Sequence, residues 1–571
     1  MDGYSVHFEV FVRKTSGASW TLEMASENRV AAIQTAEDLF NEGRVAAVKV
    51  TKETLDEESR EFQTVTILKL GVEEIARKPK AQADVQPLCV TPQDLYTIHA
   101  RERIGRLLEA WLDRNHATAF ELLHRPDLVE KLEASGFELQ HAIQKVAVPE
   151  AHARGMTVHE LMRVFHTLVD RAIDRLMKDF KRGVLPDVDA EGFAAAAERV
   201  SKDPERGFLL GAGVAASIAP AQTWSEKVLL LLDLADAAPK AHAARAFALN
   251  ALEQPLAEIL ESKPGLGDLI GKGLDLGAGL AAMTRLAAYE AVESLVGIEP
   301  SVAKVMPQLA PPAQRLAKWL ATEDFVEVRT ALGKRILREL NGPRRLKPGD
   351  AEAEIDVLRA LAMSLTAASG KLLPLEDVQA AFSARSKMLV TGDFVEAYLG
   401  QGKTSFEEVE ALVWLTENII GAANKRQAGR WLKAVVNSLR FEKEARSLDN
   451  ESAPQRLAQL AALQRAVARC GLVEEDFVPI QTKLGDLGGL IEAEAKVAAG
   501  VARANAPAVQ RLTVLLKLAC GDSAPLGPAA NRAKAEALKL VRHDSTRSEL
   551  AAAPDQVDLV RDLIQQAGLA A

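Results

Sequence analysis

The sequence predicts a mainly α protein, a multi-subdomain helical bundle or array carrying a small N-terminal α+β module of order β-β-α-β-β. Three observations predict it. Apolar and polar residues alternate through Val6–Arg13 and Thr64–Leu70, the period of a strand with one buried face. After about residue 92 the period becomes that of amphipathic helices and stays so. Hydrophobic residues make up 48% of the chain but aromatics only 5%, so helices must pack through Ala, Leu and Val, which suits bundles and stacked pairs.

Each element has a local warrant. Residues 4–14 and about 19–25 read as a hairpin around Ser16-Gly17, and 28–42 as a helix with Val30, Ile33, Ala36 and Phe40 on one face. Val45–Thr51 and Phe62–Leu70 are two further strands, joined by the charged turn Asp56–Arg60. In the first strand Val6, Phe8, Val10 and Val12 are expected inward, with His7, Glu9, Phe11 and Arg13 outward. The module is assigned to 1–72 and a proline-bearing linker to 73–92. The linker ends in a helix start, with Thr91 as N-cap, Pro92 at the first position and Asp94 in the first turn. Thr157/Glu160, Thr223/Glu226 and Ser405/Glu408 have capping-box spacing, in which the two side chains satisfy each other's otherwise unpaired N–H groups. Breaks at Gly183–Asp189, Asn341–Asp350, Asp449–Pro454 and Gly521–Pro528 suggest subdomains at 93–185 (histidine-rich), 186–345 and 350–571.

Composition narrows the function classes. A chain of 571 residues exceeds a single ordinary core. The net charge of −9 disfavours broad nucleic-acid binding while leaving room for a local basic patch. Cys89, Cys470 and Cys520 form no CxxC-type pair, which fits a reducing compartment. No secretory leader is read at the N-terminus, and the longest uncharged stretch, between Arg206 and Glu226, is too short to span about 30 Å of hydrocarbon. The expected location is cytoplasmic, with no membrane span.

Leu274-Asp-Leu-Gly277-Ala-Gly279, followed by Leu295-Val-Gly-Ile-Glu299-Pro300, resembles the first two motifs of Rossmann-like S-adenosylmethionine-dependent methyltransferases. The resemblance implies that Gly277 and Gly279 line a cofactor turn, with Ala281 in place of a third glycine, and that Glu299 holds the ribose. The flanking segments nevertheless read as helices, so glycines that end or pack helices are the preferred reading.

Seven of the ten histidines fall between His99 and His166, with two Glu-x-x-His pairs, Glu121/His124 and Glu138/His141. Such pairs resemble those of ferritin-like di-iron bundles, which need two further helices that the 17-residue interval cannot hold. His159-Glu160-Leu161 resembles the phospho-accepting string of histidine kinases, but His159, Arg163, His166, Asp170 and Asp174 read as a solvated stripe. A histidine-based metal or phosphotransfer domain at 99–170 is thus an alternative, as is the methyltransferase. No P-loop or serine-hydrolase signature occurs.

Arg426, Arg430, Lys433 and Arg440 fall near one helical face and are the expected partner-binding residues. The function this predicts is a non-enzymatic interaction scaffold or regulatory adaptor for a protein partner. No catalytic, cofactor-binding or metal-ligating residue is assigned.

Overall fold

The computed structural model describes residues 6–14, 20–42, 45–55, 62–71, 89–322, 324–448, 451–552 and 554–569. The turns around Ser16-Gly17 and Asp56–Arg60, and most of the expected linker, lie outside them. The chain divides into two compact units, Met1–Leu88 and Cys89–Ala571. It is mainly α, with one small antiparallel sheet in the first unit.

In the first unit β1 (Val6–Arg13), β2 (Thr21–Ser26), α1 (Arg29–Asn41), β3 (Ala47–Leu55) and β4 (Phe62–Gly71) follow the expected order. The sheet order is β2-β1-β3-β4, antiparallel throughout. Phe8, Val10 and Val12 of β1 meet Val48 and Val50 of β3 under Ala32 and Ala36 of α1. The expected helix face is met in part: Ala36 is buried and Phe40 packs against the sheet core, but Val30 is 73% exposed and Ala32 is buried beside Ala36. Asn28 explains the start of α1, because its Oδ1 accepts from the N–H groups of Val30 and Ala31 at 2.9 and 3.2 Å, which holds Val30 in the exposed first turn. On the outward face Lys49 Nζ lies 4.7 Å from the Phe11 ring centroid, and the Arg13 guanidinium lies 4.6 Å from that of Trp20.

The second unit is helical from Ile98 to Gln566, entered by a 3-10 turn at Pro92–Tyr96 where the sequence suggested an α-helical start. Asp94 Oδ2 accepts from the N–H groups of Val90 and Thr91, both at 2.8 Å, and this tightens the entry into a single short turn. One continuous set of buried apolar side chains runs from Leu108 to Ala567. Among the described residues no helix is long and apolar enough to cross a membrane.

Local capping boxes form at Thr157/Glu160 and Thr223/Glu226. The third sits one residue earlier than its spacing suggested, on Thr404/Glu407. Ser405 is thereby freed, and its N–H and hydroxyl both bond Glu444 Oε2, at 2.9 and 2.6 Å. That contact belongs to a recurring device, in which a carboxylate from a second helix closes the first turn of another. Glu258 takes the N–H of Phe120 at 2.7 Å, Glu253 that of Glu327 at 2.9 Å, Asp268 that of Ser225 at 3.0 Å and Glu549 that of Val509 at 3.0 Å. Helix N-termini carry unpaired N–H groups and a partial positive charge, so each contact satisfies a donor and the local field together.

Two of these carboxylates sit where water is scarce. Burial pushes the pKa of Glu253 and Glu258 up to about 7, against the opposing pull of their N–H partners and, for Glu258, of Arg101. The folded state therefore holds these protons more tightly than the unfolded chain. Their contribution to stability is fully present below about pH 4.5 and is lost as pH rises towards 7, at about 1.4 kcal/mol per unit for each group. Glu258→Gln removes one share. Urea midpoints measured at pH 5 and pH 7 should shift in the variant's favour, relative to the parent, by about 1–3 kcal/mol over that interval; a constant difference would contradict it.

Candidate functional site

The basic stripe is built on the helix Ala422–Val436, whose opposite face buries Ala428, Leu432 and Val436. Spacings of four and three residues place Arg426, Arg430 and Lys433 on one face. Arg426 and Arg430 are exposed and Lys433 is half-buried. None of the three forms an ion pair among the described residues; Arg430 only reaches Gln427 Oε1, at 3.4 Å. Arg440 is placed elsewhere. The helix ends at Val436, and Arg440 rides on the next one, Leu439–Arg446, where it pairs with Glu408 at 2.8 Å and donates to the carbonyl of Lys403. The stripe thus has three available cations. Trp431 belongs to the body, since its indole N–H donates to the Val390 carbonyl at 3.2 Å.

The histidines scatter. Glu121 and His124 share the helix Ala119–His124 and are both buried, but they serve different partners. Lys227 Nζ lies 2.7 and 2.8 Å from the two Glu121 oxygens, and Arg125 lies 3.1 Å away. His124 Nδ1 lies 2.7 Å from the Phe120 carbonyl, with its ring among Tyr96, Phe120 and Phe208. Burial lowers its pKa to about 3, so the imidazole is neutral. Glu138 pairs with Arg114 at 2.5 Å. No group of three His, Cys, Asp or Glu side chains among the described residues is arranged to hold a metal ion. His159 is exposed in the first turn of the helix Val158–Lys181 and His166 is half-buried further along it.

Lys227, the partner that decides what Glu121 does, lies 106 residues further along the chain. The sequence offered one local signal, the Thr118-x-x-Glu121 capping box, and none for the lysine.

The glycine-rich string is the N-terminus of a helix, not a strand-to-helix turn. Asp275 caps the helix Leu276–Ala287, accepting from the Ala278 N–H at 2.8 Å, and pairs with Lys347 at 2.5 Å. Partial burial would raise its pKa, but these two contacts outweigh it and hold the carboxyl below its usual range. Gly277 lies inside the helix, with its N–H on the Leu346 carbonyl at 2.9 Å. A Cβ there would fall 2.7 Å from Val357 Cγ1 and 3.0 Å from that carbonyl, so glycine serves the approach of the 343–349 connector. Around Gly279 the same construction meets open space. Glu299 joins the helices Tyr289–Ile298 and Pro300–Val305 and accepts from the Ser301 hydroxyl at 2.6 Å. No strand precedes Gly277 or ends at Glu299, so the likeness to methyltransferases stops at the letters.

Open clefts lie beside this helix start, one of about 550 Å³ and one of about 450 Å³, sharing Leu274, Asp275, Leu276 and Arg344. A third, of about 460 Å³, has four carboxylates in its lining, of which Glu444 and Glu451 are engaged by Ser405 and Arg456.

No family model, curated protein or solved structure matches the chain. The functional reading therefore rests on its own geometry.

Proposed function

We propose that the chain is a non-enzymatic interaction scaffold or regulatory adaptor of the cytoplasm, which docks an acidic protein partner on the face carrying Arg426, Arg430 and Lys433. The observation that carries this reading is the pairing of charges around the stripe. Nearby cations are committed, Arg440 to Glu408, Arg446 to Glu494, Lys483 to Glu442 and Lys425 to the Cys470 carbonyl. Three cations in no ion pair among the described residues, on one helix of a chain with net charge −9, make a local positive field. Such a field steers an oppositely charged surface and sets its register more than it adds raw affinity. The three free thiols are compatible with a reducing compartment.

The test is the double charge reversal Arg430→Glu with Lys433→Glu. Unfolding stability should fall by no more than about 1 kcal/mol, because the substitutions break no ion pair among the described residues and cost only the partial packing of Lys433 and its favourable place in the last helical turn. Tagged protein purified from its host should lose an acidic partner whose capture by the parent weakens as salt is raised. An unchanged partner set across the salt series would reject the stripe as the docking face.

A further inference from the structure

The turn Gly271–Leu274 and the connector 343–349 are fastened together by the Asp275–Lys347 ion pair and by the Gly277 N–H on the Leu346 carbonyl. Gly271, Gly273 and Gly349 have φ of 114°, 74° and 83°, conformations that let both segments turn sharply at the mouth of the clefts. The cleft floor is apolar, formed by Leu266, Ile270, Leu280 and Met283. Its walls are cationic: Lys263, Lys272, Arg335 and Arg344 line one cleft and Arg345 the other.

Two carboxylates also line the clefts, and both are engaged. Asp275 is held by Lys347, and Glu339 by Arg344 at 2.6 Å. Against them stand Arg345 and Lys263, neither in an ion pair among the described residues. Lys272 is 79% exposed and lies 3.4 Å from Asp268. Arg335 spends one terminal nitrogen on the carbonyls of Leu260 and Glu261, at 2.7 and 2.6 Å, while its buried Nε has no hydrogen-bond partner. A surplus of positive charge therefore surrounds an apolar floor.

We propose that these joined clefts bind an organic phosphate of nucleotide size, independently of the partner-binding stripe. The phosphate lies against Arg344, Arg345 and Lys272, and the less polar body lies on the Leu266–Met283 floor. Each cleft falls within the size range of small-molecule sites, about 300–1,000 Å³. A phosphate dianion offsets more of the surplus than a carboxylate does, and guanidinium forks match its oxygens.

Calorimetric titration of the full chain tests this with two probes, ADP and pyrophosphate, and with a poly-glutamate peptide as competitor. ADP should bind saturably, more tightly than pyrophosphate, and less tightly as salt is raised. Arg344→Ala should weaken both probes at least tenfold, and Lys272→Ala, at a largely exposed position, should weaken both by a smaller factor with the thermal unfolding midpoint little changed. Leu274→Ser should weaken ADP and leave pyrophosphate alone. The proposal is overturned if neither probe gives saturable heat at millimolar concentration, if pyrophosphate binds as tightly as ADP, or if the Lys272→Ala and Arg344→Ala proteins bind like the parent. Saturable binding of the peptide in place of the nucleotide would equally overturn it and make the cleft a peptide groove.

Discussion

Lys227→Met should lower the stability of the helical unit by about 3–5 kcal/mol, the cost of leaving one member of a buried ion pair uncompensated. Lys227 is 2% exposed at its side chain and Glu121 0%. Burial lowers the lysine's pKa, and contact with the Glu121 carboxylate opposes that shift. The same ammonium donates to the carbonyl of His116, a non-glycine residue at φ 48°, and so pins a turn that would otherwise relax. Methionine supplies the length and none of the charge, so Glu121 would keep Arg125, at 3.1 Å, as its one cationic partner among the described residues, beside the Thr118 N–H at 3.0 Å. The measurement is the urea midpoint of the first unfolding transition, followed by far-ultraviolet circular dichroism. Adding Glu121→Gln should recover part of the loss, because the two changes act on one pair and do not add. A single variant as stable as the parent would mean that the pair is solvated in solution.

Gly488→Ala is expected to be the next most damaging change. The helix Glu474–Ala495 passes against the connector 521–528 with glycine at three contact positions. A Cβ on Gly488 would lie 2.2 Å from Pro525 Cγ, and one on Gly485 would lie 2.4 Å from the Leu526 carbonyl oxygen. The connector has little freedom to retreat. Gln464 holds it in place, accepting from the Leu526 N–H at 2.6 Å and donating to the Leu526 carbonyl at 3.0 Å. Overpacking of this kind costs about 1–3 kcal/mol, and the intrinsic gain of alanine over glycine in a helix returns only about 1 kcal/mol. Gly500 is the control, for a Cβ there meets nothing within 4 Å. Gly500→Ala should be neutral or stabilising by up to about 1 kcal/mol. Equal midpoints for the two variants would show that the connector yields freely.

What the sequence revealed and what it hid divide by distance along the chain. Phe8, Val10 and Val12 announce a half-buried strand, because period two is a local signal, and they are buried as expected. Thr157/Glu160 and Thr223/Glu226 announce helix starts for the same reason. Adjacent Thr404 and Ser405 both satisfy the capping rule, and only a third residue, Glu444, decides which becomes the cap. Helical spacing puts Val30 on the face of Ala36 and Phe40, but it lies in the first turn, beyond the part of the helix that packs on the sheet through Ala32, Ala36, Leu39 and Phe40. Carrying one helical period through Asn437 and Ser438 puts Arg440 on the stripe, but the helix breaks at those two residues. The cleft beside Asp275 was beyond reach, since its walls come from segments about seventy residues apart, as the separation of Asp275 and Lys347 shows. The glycine string flagged the right place for a different reason: Gly277 admits a carbonyl, not a cofactor.

The helix ends closed by distant carboxylates also impose an order on how the chain can mature during its own synthesis. Ser405, Val509 and Ser225 wait 39, 40 and 43 residues for Glu444, Glu549 and Asp268 to be made. Phe120 waits 138 residues for Glu258, roughly 7–30 s at ordinary elongation rates of about 5–20 residues per second. Until then the first turn of that helix keeps an unfinished end, and the nascent body stays open to whatever else can supply an acidic group.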